Sequence, residues 1–186
     1  MIEHKNLLES QIREIYGRVI YTHKTHEKCA DLLKSRSDCF KSFEIILSVL
    51  TTTTILAILL GDGVIFKFVA ALFSSLQLGL TLYIKDFNLL AIAEKHKQAA
   101  LNILEIREKL LSLLVDIRIG NKEIEDLQKI RDELNEQLIN SYRGAPKTIN
   151  KAYELASVAL KQNEEFTFSN IEIDKFLPES LRKNKI

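Results

Sequence analysis

The chain has 186 residues, with 26 Lys and Arg against 25 Asp and Glu, a formal net charge of +1. That length fits one domain with extensions, and the near-neutral balance excludes a nucleic-acid partner held by bulk charge. Only 2 Pro and 6 Gly occur among 46% hydrophobic and 27% charged residues, so few breakers interrupt a sequence rich in Leu, Ile, Lys and Glu, which argues for long helices.

The first element runs from about Glu3 to Phe40, with no Pro and only Gly17. Leu8, Ile12, Ile15, Val19, Cys29, Leu33 and Phe40 fall on three- and four-residue steps, with Thr22, His26 and Arg36 in the gaps. This degraded heptad predicts a helix that packs on a partner helix. His23, His26 and Cys29 lie loosely along one face with Glu27 nearby, the residue types of metal sites. No fourth ligand is evident, and the spacing reads better as ordinary helix packing. Cys29 and Cys39 would lie roughly 15 Å apart on a helix, too far for a disulfide, so both are expected as free thiols.

Between Ile45 and Ile84 the only formal charges are Asp62 and Lys67. Two apolar runs, Ile45 to Leu60 and Val64 to Ile84, flank Gly61-Asp62-Gly63, a strong turn signal. A bilayer core of roughly 30 Å takes about 20 helical residues. The second run meets this, and the first does so with Phe43 and Glu44 at the interface. Two adjacent helices apolar on every side have no cover in a soluble chain of this size. The first run begins some forty residues in, which argues against a cleaved signal peptide. The expectation is an all-α membrane protein with a two-helix transmembrane hairpin. Lys34, Arg36 and Lys41 precede the first span and Lys85, Lys95 and Lys97 follow the second. The positive-inside rule then puts both long ends in the cytoplasm of a bacterial cell and the turn outside, with Lys67 able to snorkel to the outer interface.

Both spans carry polar groups. On the first, Glu44, Ser48, Thr51, Thr52 and Ile55 share a face within a run of four threonines. Bonding of each hydroxyl to the carbonyl four residues back satisfies it locally; a stripe opening on a carboxylate also suits the wall of an oligomeric pore. On the second, Ala71, Ser75 and Gly79 recur every four residues, which permits close helix approach. Ser74, Gln77 and Thr81 form an adjacent strip, and Gln77, mid-membrane, needs a partner or water. These residues and Lys67 are the candidates for a pore or oligomer interface; the sequence leaves open whether they pack within one hairpin or between protomers.

Nothing between Val64 and Ile119 stops a helix except, weakly, Gly79, so the second span is expected to run on as one rod of roughly 80 Å. Ile103, Ile106, Leu110, Leu113, Ile117, Ile124, Leu127, Leu134 and Leu138 continue a three-four seam, interrupted by Gly120 and Arg131. Gly120-Asn121 marks a C-cap, and a helix follows over Lys122 to Ser141. Arg143-Gly144-Ala145-Pro146 is a loop. Thr148 to Gln162 reads as an amphipathic helix with Ile149, Tyr153, Ala156 and Leu160 on one face, before a tail from Phe166 that mixes β-formers with charge. The expected organisation is an N-terminal cytoplasmic helix (1–42), the hairpin (43–84), cytoplasmic helices forming a coiled-coil-like bundle (85–165) and a tail (166–186). No nucleotide fingerprint, phosphate loop, zincin motif or nucleophile elbow appears, so no catalytic, cofactor or metal residues are assigned.

In this order the elements resemble the SLATT family, two-span proteins associated with prokaryotic nucleotide-signalling and antiphage defence loci. The resemblance covers about Gln11 to Ala159. It is carried by Arg36-Ser37-Asp38-Cys39-Phe40-Lys41 leading into a threonine-rich span, by the Gly-Asp-Gly turn, by the charged continuation through Lys95-His96-Lys97, and by Asn140-Ser141-Tyr142-Arg143-Gly144-Ala145-Pro146. It implies an oligomeric effector that, triggered by a partner or a nucleotide signal, opens a pore or disrupts the inner membrane in abortive infection. The implied partners are the lipid bilayer, other copies of the chain, and a cyclic-oligonucleotide synthase or reverse transcriptase from a defence locus. The competing expectation is a membrane-anchored scaffold or sensor that recruits an enzyme through its cytoplasmic helices.

Overall fold

The computed structural model describes residues 2–61 and 63–183; Asp62 of the expected turn, and the last three residues of the tail, lie outside the described residues. Within them all regular structure is helical: α1 (Ile2–Leu60), α2 (Val64–Phe87), α3 (Leu89–Ile119), α4 (Ile124–Gly144), α5 (Asn150–Lys161), α6 (Asn170–Phe176) and a 3-10 turn (Glu179–Leu181).

α1 is a single helix of 59 residues, through the polar seam and the first apolar run alike. Its β-branched threonines are weak helix formers. Each offsets this by donating its hydroxyl one turn back: Thr51 to Leu47 O, Thr52 to Ser48 O, Thr53 to Val49 O and Thr54 to Leu50 O, all at 2.7–2.9 Å. The chain reverses after Leu60, and α2 returns along α1 to form the hairpin.

The expected continuous rod from Val64 to Ile119 is interrupted. Asn88 adopts a left-handed conformation (φ 37°, ψ 57°), ends α2 by donating its N–H to Ile84 O at 3.1 Å, and starts α3 by accepting from the Ala91 N–H at its side-chain oxygen. Asn is among the few residues that enter this region readily, because its amide mimics a backbone partner. A lone Asn just after the apolar run, with no Gly or Pro beside it, gives little warning of a break.

Outside the hairpin, the N-terminal part of α1 packs on α3, with α4 against α3 and α5 against α1. The core is the seam: Leu8, Ile12, Ile15 and Val19 meet Ile103, Ile106, Leu110, Leu113 and Ile117, and Leu127, Leu134 and Leu138 close it from α4. Each such side chain removed from water contributes about 1.5–3 kcal/mol. Cys29 is also buried, Leu33, Phe40 and Ile124 are half-buried, and Arg36 is exposed. Gly120, at φ 77°, makes the turn between α3 and α4.

α5 is rotated from its expected face. Ile149 and Tyr153 are exposed, while Ala152, Ala156 and Ala159 are buried. Three alanines let α5 lie close against α1, and Tyr153 instead stacks on Tyr21 from the rim, with ring centroids 5.9 Å apart.

Candidate functional site

The two halves of α1 carry two polar clusters. The first lies inside the hairpin. Along α1 the side facing α2 reads Glu44, Leu47, Ser48, Thr51, Thr54, and along α2 it reads Ala70, Phe73, Gln77, Leu80, Ile84, all partly or fully buried. Ser48 donates to Glu44 O and accepts from Gln77 Nε2 at 2.6 Å. Gln77 Oε1 lies 3.5 Å from Thr51 Oγ1, and Thr81 Oγ1 donates to Glu44 Oε1 at 2.5 Å. Ser48 gives its hydroxyl proton to its own helix and keeps a lone pair for Gln77 Nε2, and Thr51 directs its hydroxyl chiefly to Leu47 O and only weakly to Gln77 Oε1, so Gln77 serves as the cross-link between the helices. In hydrocarbon such bonds contribute about 0.5–2 kcal/mol each.

Of the sequence candidates, Glu44, Ser48, Thr51, Gln77 and Thr81 are thus brought together within one hairpin. Thr52, Lys67, Ala71, Ser74, Ser75 and Gly79 are exposed on its outer surface. A Cβ added at Gly79 would meet no atom within 4 Å, so this glycine is not needed for contact between α1 and α2. Around these small residues the surface is apolar: Leu56, Leu59, Phe68, Leu72, Leu78 and Leu82 are all more than half exposed. Apart from Thr54 no residue of the apolar run of α1 is buried, and in that of α2 only Ala70 is. At the bundle end, Tyr83 stands edge-on to Phe40 (centroids 5.2 Å, interplanar 77°) and beside Phe87 (4.4 Å), with the Arg36 guanidinium 5.6 Å over Phe40. An amphipathic Tyr ring flanked by a cation, at the end of both apolar runs, is the composition expected of a membrane interface. The sequence reading missed this cluster, although its Phe and Tyr flank both spans.

The second cluster lies where α1, α3 and the segment after α5 meet. Lys24 is only 7% exposed. It pairs with Glu27 at 2.8 Å and with Glu165 at 2.5 Å. Burial opposes its charge, but the hydrogen bonds to Glu165 and Glu27 outweigh burial and hold its pKa above the ordinary lysine value. The bond from Lys24 in turn lowers the pKa of Glu165. Phe166 is clasped by three cationic or aromatic groups: Lys24 Nζ 4.8 Å and the Arg107 guanidinium 4.6 Å from its ring, and His23 at 5.5 Å between centroids. Arg107 also chelates Glu108 through Nε and Nη2, while its Nη1 and His23 Nδ1 are buried without a hydrogen-bond partner among the described residues.

One turn further along α1, His26 Nδ1 lies 2.9 Å from His96 Nδ1 of α3, both rings buried. His23 and His26 thus face different neighbours, Phe166 and His96. Among the described residues no group of three or more His, Cys, Asp or Glu could hold a metal. Burial raises the pKa of the Cys29 thiol, which keeps it protonated and unreactive. Both cysteines are free. Beside this cluster a groove of about 610 Å³ runs between α1 and α3, lined among others by His23, Lys24, Lys34, Glu94, Lys97 and Leu101. Its mixed charges show no preference for an anion or a cation.

The sequence profile of the SMODS and SLOG-associating 2TM effector domain family 4 matches residues 8–172. No curated protein and no solved structure matches the chain.

Proposed function

Because the chain belongs to this family of two-span membrane effector domains, we propose that it acts as an oligomeric effector that permeabilises the bacterial inner membrane in antiphage defence. The observation that carries this reading is the outer face of the hairpin. A stripe of Ala71, Ser75 and Gly79 lies uncovered in an otherwise apolar surface. In lipid, small residues at this spacing favour close helix–helix contact, and a second copy of the hairpin is the partner of matching shape. The basic flanks Lys34, Arg36, Lys41 and Lys85, Lys95, Lys97 support a topology with both ends cytoplasmic. The bundle would then receive the trigger, a nucleotide signal or an enzyme from the same defence locus. Glu44, Ser48, Thr51, Gln77 and Thr81 satisfy one another in the resting hairpin, so lining a pore requires α1 and α2 to separate or turn.

The test is membrane potential in bacteria expressing the chain with its genomic neighbours, before and after phage challenge. Depolarisation that follows infection, depends on the protein and is weakened by Ser75→Leu and Gln77→Leu is the expected result. An intact potential with defence still present overturns the reading. That outcome favours the scaffold, for which the mutually satisfied polar groups of the hairpin speak. Exchange of residues 43–84 for an unrelated two-span anchor then preserves defence.

A further inference from the structure

We propose that His26 and His96 form an acid-operated clasp that holds α1 against α3 when neutral and releases it when protonated. The clasp is independent of how the hairpin acts on the membrane, because it rests on the packing of the bundle alone.

The two Nδ1 atoms, 2.9 Å apart, can form a hydrogen bond only if one carries a proton and the other does not. Neutral rings in opposite tautomers meet that condition. One added proton leaves a donor and an acceptor but puts a charge into a buried site. A second leaves two donors and two positive charges facing each other, which no arrangement of the rings at this distance can satisfy. The release therefore takes up two protons when it goes to completion.

Among the described residues no carboxylate acts on either ring, and those nearby, Glu27, Asp31 and Glu94, are engaged elsewhere or stand in the groove outside. On α1, Glu27 is engaged by Lys24 at 2.8 Å and faces His23 Nε2 at 3.6 Å. Lys28 pairs with Glu165 at 3.7 Å, and buried Cys29 stays a neutral thiol. On α3, His96 is preceded and followed by buried Ala93, Ala99 and Ala100, with Glu94 and Lys97 in the groove outside. Arg107 and Glu108 act on His23 and pair with each other. α5 presents buried Ala152, Ala156 and Ala159, and the segment after it brings Phe166 to His23 and Glu165 to Lys24. His23 is disfavoured as a cation by burial, against which Glu27 acts, while Arg107 and Lys24 add to the effect.

Burial first, then the neighbouring His96 and His23, bring the pKa of His26 from 6.5 down to about 4, and burial lowers that of His96 as well. A base depressed in the closed form stabilises that form fully above its free pKa, and the stabilisation is lost as the pH falls from about 6.5 towards 4. His26 alone shifts the equilibrium towards the open form about 30-fold between pH 7.5 and 5. His96 adds in the same direction. Acidification of the compartment that holds the bundle would thus loosen α1 from α3 within the bundle, roughly 20 Å from Phe40 at the end of the hairpin.

The experiment is a distance measurement on the full chain in lipid nanodiscs. Spin labels are placed at Ser35→Cys and Gln98→Cys with Cys39→Ser, buried Cys29 being out of reach of the label. At pH 7.5 a single short distance is expected. Lowering the pH to 5 raises the ratio of long to short distances by about 30-fold or more, with a proton dependence steeper than first order. In the double variant His26→Gln, His96→Gln the ratio no longer responds. A distance unchanged between pH 7.5 and 5, or a double variant that responds as the native histidines do, overturns the proposal. Should the double variant fail to fold, His96→Asn alone decides: first-order dependence supports the clasp, and an unaltered steep dependence overturns it.

Discussion

The hairpin and the bundle share α1, yet they are built inside out with respect to each other. In the bundle Leu8, Ile12, Ile15 and Val19 are nearly inaccessible, and charged residues such as Glu14 and Arg18 point outward. In the hairpin Leu56, Leu59 and Leu60 point outward, and the half-buried interior contains Ser48, Thr51 and Gln77. The difference is one of solvent. Water drives apolar surface inward, whereas lipid gives no such drive and leaves hydrogen bonds and close contact to hold helices together. One helix therefore obeys two opposite rules along its length, and the aromatic and cationic cluster at Arg36, Phe40 and Tyr83 marks where they change over.

The largest effect that can break this contrast is expected in the bundle core. Ile103→Ala removes a fully buried side chain and should destabilise the fold by about 2–5 kcal/mol, measured by denaturation in mild detergent. Leu56→Ala, on the outer face of the hairpin, should leave the same transition nearly unchanged. Equal losses at the two sites would mean that the hairpin surface is packed against protein. Next comes Gln77→Leu, which raises hydropathy while removing the bond to Ser48. It should weaken association of α1 with α2 by about 0.5–2 kcal/mol, read from a steric-trapping equilibrium in bilayers. A gain in hairpin stability would show that apolar packing governs there as well. Asn88→Ala should cost about 1–2 kcal/mol, because alanine has no side-chain amide and disfavours the left-handed conformation; Asn88→Gly should recover most of that in the same assay. Smallest in the isolated protomer is Gly79→Leu, expected within about 0.5 kcal/mol as for other surface positions, yet abolishing crosslinking between copies if the outer stripe is their contact.

The bundle seam and the hairpin were legible because each follows from a single pattern, a three-four period in one and unbroken apolarity in the other. Ile12, Ile103 and Leu127 occupy the core to which their spacing assigned them. The rest depended on pairings the pattern does not contain. His96 meets His26 across 70 positions of chain, and neither residue carries a local sign of the other. Phe166 stood in a charged tail with nothing to distinguish it from its neighbour Phe168, which stays exposed. The face of α5 was misjudged by weighting large side chains; close approach selected the alanines. The candidate polar strips were visible, but that Glu44 meets Thr81 and Ser48 meets Gln77 depends on the register of the hairpin, which the turn and the packing set together.

The unbroken course of α1 gives the molecule unequal legs. At about 1.5 Å per residue its 59 residues make a strut of roughly 90 Å, stiffened throughout by its own hydrogen-bond ladder. The other leg has a joint at Asn88, where the ladder is interrupted and a single residue sets the angle. Any shift or twist of the bundle relative to the bilayer is taken up at that joint on one side and carried along the strut to the far end of the hairpin on the other. Such motion shears α1 against α2, and the rungs Glu44–Thr81 and Ser48–Gln77 are the bonds it must slide past.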